Sequence, residues 1–157
     1  GQVGNAPSIM LVPNSSPAKT VQEWIDHARK NPGRLNYASS GNGTSIHLAG
    51  ELFKQQTGTF ITHIPYRGAG PAVQDLMGGQ VEMMFLSAVL AQPHVKAGKF
   101  KAIAQTGAQR VPAYPSVPTV AEAGFKGFDV NSWVGMLAPA GTPRPTGRQL
   151  AQTRDRV

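Results

Sequence analysis

One pattern restricts the fold of this chain more than any other, and it occurs twice: an apolar run, a glycine-rich junction, then a segment of helical period. The first copy passes from residues 35–38 through Tyr37-Ala38-Ser39-Ser40-Gly41-Asn42-Gly43-Thr44-Ser45 into residues 46–56. The second passes from residues 60–64 through Pro65-Tyr66-Arg67-Gly68-Ala69-Gly70-Pro71 into a short helix carrying Ala72, Val73, Leu76 and Met77, with Pro71 in its first turn. Strands alternating with helices predict an α/β fold: a three-layer lobe with an open, mostly parallel sheet and both junctions at the carboxyl ends of strands.

The chemistry of the first junction suits an anion. Gly41 and Gly43 permit positive φ and close approach of a ligand. Hydroxyls at Ser39, Ser40, Thr44 and Ser45 offer hydrogen bonds, and the following helix points unpaired N–H groups and its positive end back at the loop. The same residues also satisfy a purely structural reading, in which Ser and Thr cap the helix and glycine relieves a tight turn. The stretch alone leaves both readings open.

The rest of the chain fits the same alternation. Residues 8–12 read as a buried strand. Thr20 with Glu23 makes a capping box for a helix whose Val21, Trp24, Ile25 and Ala28 share one face, ended by Asn31-Pro32-Gly33. Leu48, Leu52 and Phe53 are the expected buried stripe of residues 46–56. Residues 81–85 and 101–105 read as strands and 87–96 as a helix despite Pro93. Three prolines in residues 111–118 predict an extended connector. Thr119 and Glu122 predict a second, brief capped helix, and residues 128–137 a long strand with Trp133. Residues 146–157 have helical composition but only Leu150, Ala151 and Val157 as apolar positions, too few to bury a face. Met10, Met77, Met83, Met84 and Met136 are expected as core filling.

Composition excludes several classes. With no cysteine there is no disulfide, thiolate metal site or sulfur redox chemistry. The net charge of +7 invites a nucleic-acid reading, but the basic residues are scattered along the chain, so no nucleic-acid partner is expected. The charge would still speed encounters with anionic solutes. There is no 18-residue apolar run, and residues 1–5 lack a signal-peptide pattern, so any leader is expected outside this sequence. His27, His47, His63 and His94 have no metal-like spacing, and no cofactor is expected. No G-x-S-x-G elbow accompanies Ser39, Ser40 or Ser87, and neither junction matches a nucleotide fingerprint; an enzyme is not expected.

Several motifs in order carry a resemblance. They are Leu35-Asn36-Tyr37-Ala38-Ser39-Ser40-Gly41-Asn42-Gly43-Thr44, His47-Leu48-Ala49-Gly50-Glu51-Leu52-Phe53, Ile64-Pro65-Tyr66-Arg67-Gly68, Asp75-Leu76-Met77-Gly78-Gly79-Gln80-Val81, Pro118-Thr119-Val120-Ala121-Glu122-Ala123-Gly124 and Leu137-Ala138-Pro139-Ala140-Gly141-Thr142-Pro143. Together they resemble the Bug family, the solute-binding receptors of tripartite tricarboxylate transporters. The resemblance implies a periplasmic, type II binding-protein architecture of two lobes that close on a small organic carboxylate and hand it to membrane transporter subunits. It implies that residues 8–145 are the second lobe, with inter-lobe strands in 8–12 and 128–137, and that residues 146–157 begin a helix of the first.

Carried over by position, the resemblance assigns ligand contacts to Ser39, Ser40, Gly41, Asn42, Gly43, Thr44 and His47, then to Tyr66, Arg67 and Gly68. At Arg67 the backbone is favoured over the side chain. A third contact follows the strand at 82–85, where members commonly carry Asp; here Leu86-Ser87 stands instead, which leaves Ser87 as the candidate and tilts the expectation towards a solute without an amino group. A lone lobe is expected to bind weakly and to self-associate through uncovered apolar surface. The alternative reading is the effector-binding domain of a transcriptional regulator with the same lobe architecture.

Overall fold

The computed structural model describes residues 2–135 and 137–154. It contains β1 (Gln2–Pro13), α1 (Val21–Lys30), β2 (Asn36–Ser39), α2 (Ser45–Thr57), β3 (Thr62–Pro65), α3 (Ala69–Met77), β4 (Met83–Ser87), α4 (Ala88–Lys96), β5 (Phe100–Gln105), β6 (Asn131–Gly135) and α5 (Arg144–Arg154). By contacts the chain divides into two compact units, one of residues 6–132 and the other of residues 1–5 with 133–157.

Within the larger unit the strands lie in the order β3-β2-β4-β1-β5. β2 runs parallel to β3 and to β4, whereas β1 runs antiparallel to both β4 and β5, with a register shift between Met10 and Leu11 on the β5 side. β6 also pairs with β1. Four strands of this path therefore share a direction and β1 alone opposes them, which makes the sheet mixed. Met83, Met84, Phe85 and Leu86 of β4 are all buried, the mark of a strand covered on both faces.

The core grows from local patterns. Thr20 Oγ1 accepts the Glu23 N–H while the Glu23 carboxylate takes the Lys19 N–H at 2.7 Å, so α1 starts where the capping box predicts. Its Val21, Trp24, Ile25 and Ala28 are buried. Trp24 meets Phe53 of α2 edge-on at 5.7 Å, and Phe53 meets Phe85 at 5.9 Å and Phe128 at 6.4 Å. These edge-to-face pairs join two helices, the central strand and the 128–132 segment into one aromatic core. Met10, Met83 and Met84 are fully buried and Met77 packs at the margin.

Some sequence expectations need correction. Leu48 is 55% exposed; the buried stripe of α2 is Ile46, Ala49, Gly50 and Phe53, because the helix turns its smallest residues to the sheet. The fourth strand starts at Met83, not 81, and runs on to Ser87, which caps α4 instead of lying inside it. Residues 111–118 are not extended. The Gln105 amide donates to the Tyr114 and Val117 carbonyls and its Oε1 accepts the Val111 N–H, winding the proline segment into turns around one buried side chain. The capping box at Thr119 and Glu122 forms, but it closes a turn and no helix follows. The long strand shrinks to Asn131–Gly135. Met136 and Val157 lie outside the described residues. No helix among the described residues is long and apolar enough to cross a membrane.

Candidate functional site

Because β3, β2 and β4 are parallel neighbours, their carboxyl ends stand side by side, and a helix starts directly after each: α3 after β3, α2 after β2 and α4 after β4. Three positive helix ends thus face one edge of the sheet, the position where open α/β folds hold ligands.

The first loop is the most elaborated of the three. Gly41 and Gly43 take φ of 133° and 78°, which a side chain would resist. Thr44 Oγ1 donates to the Gly41 carbonyl at 2.8 Å and accepts the His47 N–H at 3.3 Å, closing the N-cap of α2. The Gly41 N–H is taken by Ser39 Oγ at 3.1 Å and that of Gly43 by His47 Nδ1 at 3.0 Å. Among the described residues the N–H groups of Asn42, Ser45 and Ile46 meet no acceptor, so they remain for a ligand. Asn42 and Gly43 are exposed, and Ser40, Gly41, Thr44 and His47 are half-buried.

The second loop lies against the first through Tyr66 N–H to Ser39 O at 3.0 Å and Gly68 N–H to Ser40 O at 3.3 Å. Gly68 caps α3 with φ of 101° and no side-chain bond. Arg67 is exposed, with no ion pair or hydrogen-bond acceptor among the described residues, while the Tyr66 hydroxyl donates to Asp75 Oδ2 at 2.7 Å. Burial, then that bond and the Asp75 charge, push the Tyr66 phenol up to about 12, so it stays a neutral donor. Ser87 is half-buried, starts α4 without a side-chain cap bond, and is followed by exposed Val89 and Leu90.

Ser39 differs from its neighbours in being fully buried, with Oγ 2.6 Å from His63 Nε2. Ser and His at that distance look like a nucleophile and its base, but a hydroxyl sealed behind the loop and already accepting the Gly41 N–H has no access to a substrate. His63 is stacked between Tyr37, at 4.9 Å, and His47, at 4.0 Å. The Tyr37 hydroxyl donates to Glu51 Oε1 at 2.6 Å, and Lys54 pairs with Glu51 at 2.8 Å. Burial lifts the Tyr37 phenol far above its ordinary value, with Glu51 adding to the effect. Burial also pulls the Glu51 carboxyl upward, but the Lys54 and Tyr37 bonds and the Lys54 and His47 charges outweigh it and leave the group below the usual carboxylate value. His63 is held below the usual imidazole value by burial and then by His47, with Glu51 opposing.

Sequence reasoning missed His63, Tyr37 and Glu51 as parts of the site, and also Ser132, whose Oγ lies 2.7 Å from Ser45 Oγ. Ser45 and Ser132 are 87 positions apart, and no local pattern announces such a pair. His63 lies beside Tyr37 because the parallel register of β2 and β3 pairs them.

The profile of the tripartite tricarboxylate transporter family receptors matches residues 2–155. The chain belongs to this family. Among solved structures, R. palustris Rpa4515 with adipate is 36% identical with a TM-score of 0.95 over 98% of this chain and 51% of its own. The periplasmic binding protein BugD is 35% identical with a TM-score of 0.89, covering 96% and 50% of the two chains. MatC from Rhodopseudomonas palustris, with bound malate, is 34% identical with a TM-score of 0.88, covering 97% and 52%. The chain spans about half the length of the curated relatives it matches: it covers 43% of a 43%-identical protein from Pseudomonas sp. (strain P51) and 46% of a 36%-identical one from Bordetella pertussis. The expected Bug resemblance and the binding-protein lobe are thus both found.

Proposed function

We propose that this receptor chain is the second lobe, residues 8–145, of a periplasmic solute-binding protein, with residues 146–157 beginning a helix of the first. It captures a small organic carboxylate without chemical change and delivers it to the membrane subunits of a tripartite tricarboxylate transporter. The observation that carries the reading is the set of three helix starts side by side, one of them wrapped in a glycine- and hydroxyl-rich loop with unspent N–H groups. A carboxylate accepts several such hydrogen bonds and needs no full countercharge. Adipate in one relative and malate in another support this ligand class.

The contacts are the unspent N–H groups of Asn42 and of the first turn of α2 after Thr44, in a loop shaped by Ser40, Gly41 and Gly43, with the Tyr66-Arg67-Gly68 loop and Ser87; His47 and Ser39 stand behind them. Exposed Trp133, Val134 and Leu137 are apolar surface that the isolated chain would cover by self-association. Isothermal calorimetry on the protein as its gene encodes it, titrated with adipate, malate and citrate, tests the reading. Saturable binding of at least one is expected, and no heat with any of them would overturn it.

A further inference from the structure

The first loop is held by side chains of β2, α2 and β3 that pack behind it. Two of its N–H groups, those of Gly41 and Gly43, point inward and end on the same ring stack: Gly41 through Ser39 Oγ at 3.1 Å and on to His63 Nε2 at 2.6 Å, Gly43 directly on His47 Nδ1 at 3.0 Å. The two imidazoles lie 4.0 Å apart and 12° from parallel, with the Tyr37 ring on the other side of His63. His63 is therefore fixed in orientation by its neighbours on β2 and α2, and the charged groups facing the stack, Glu51 and Lys54, are paired with each other.

We propose that His63 is the positioning residue of the ligand loop: held in the Tyr37–His63–His47 stack, it locks Ser39 and through it the Gly41–Gly43 arch whose outward N–H groups receive the carboxylate. The proposal rests on the carboxylate-binding reading. Ser39 has one hydroxyl proton and two places to send it, His63 Nε2 at 2.6 Å or the Gly41 carbonyl at 3.2 Å. The short contact to the ring holds the hydroxyl in the rotamer that accepts the Gly41 N–H. With that N–H and the Gly43 N–H turned inward, the intervening Asn42 N–H is left for the ligand, and the site is formed before the ligand arrives. Preorganisation of this kind raises affinity by lowering the ordering cost of binding.

His63→Phe keeps the stacked ring and removes the nitrogen. In the protein as its gene encodes it, His63→Phe, Ser39→Ala and the double variant are compared with the parent for affinity towards adipate and malate. Each single change is expected to weaken binding about tenfold, the scale of one net hydrogen bond, with no further loss in the double variant. His63→Gln, whose amide can reach Ser39, is expected to recover part of the loss. Parental affinity in His63→Phe, or losses that multiply in the double variant, overturn the assignment. Amide hydrogen exchange reads the same device without ligand: protection of Gly41, whose N–H is held through Ser39, falls in folded His63→Phe if the proposal holds, and unchanged protection there overturns it. A parent that binds neither acid but shows the exchange effect would count against the carboxylate reading alone.

Discussion

The two glycine-rich junctions look alike in sequence and are built in opposite ways. The loop before α2 is capped by Thr44, tied to a buried serine and backed by two stacked imidazoles. The loop before α3 has glycine at its cap, no side-chain cap bond and an exposed arginine that is unpaired among the described residues. One is an arch tied from behind by side chains; the other is an open rim that carries an exposed arginine. A carboxylate seated between them would have its position set by the first and its charge answered by the second.

The comparison can be broken most forcefully at Gly50. A Cβ there would come within 2.2 Å of the Tyr37 ring, which carries the stack, so Gly50→Ala is expected to lower stability by about 1–3 kcal/mol and to weaken carboxylate binding. Gly70→Ala, in the first turn of α3 where nothing other than its chain neighbours lies within 4 Å of an added Cβ, should change stability by no more than about 1 kcal/mol, the loss of backbone freedom in the unfolded chain being offset by crowding against Pro71. Equal melting shifts in the two variants would erase the distinction.

The caps give a smaller contrast. Thr44→Ala removes the bonds to His47 N–H and Gly41 O and should cost about 1 kcal/mol, whereas Ser87→Ala removes no cap bond and should leave chemical denaturation unchanged. Acidification probes the stack directly. His63 is held below its ordinary value, so the unfolded chain binds the proton more readily than the folded one. Its contribution to stability is then complete above about pH 6.5 and is lost as pH falls below that value. The difference between parent and His63→Phe melting curves across that range should carry this slope, and a flat difference would refute it. Arg67→Ala, at an exposed position, should also leave stability within about 0.5 kcal/mol of the parent, while carboxylate affinity should fall and lose part of its salt dependence.

Much of the fold was legible because its signals are local. The Thr20–Glu23 box, the glycines that take positive φ at 41, 43 and 68, and the alternation of apolar runs with helical stripes each act within a few residues. The loops of the candidate site were legible for the same reason. Local signals also misled: Thr119 and Glu122 form their box without a helix, since only a turn separates it from Gly124, and three prolines did not keep residues 111–118 straight against the three hydrogen bonds of the Gln105 side chain. Leu48 joined the wrong face because the sheet takes the small residues Ala49 and Gly50, and Tyr37 needs that room.

By itself the sequence determined the order of strands and helices as far as β5, the two junctions and their suitability for an anion, because hydrogen bonding, φ preference and periodicity operate between near neighbours. Only the tertiary structure decided that β1 runs against β4 and β5, that Ser132 meets Ser45, and that His63 stands between Tyr37 and His47 behind Ser39. Those contacts join residues from 16 positions apart, His47 and His63, to 96, Ile9 and Gln105, and their energies exist only after sheet register and core packing have brought the partners together.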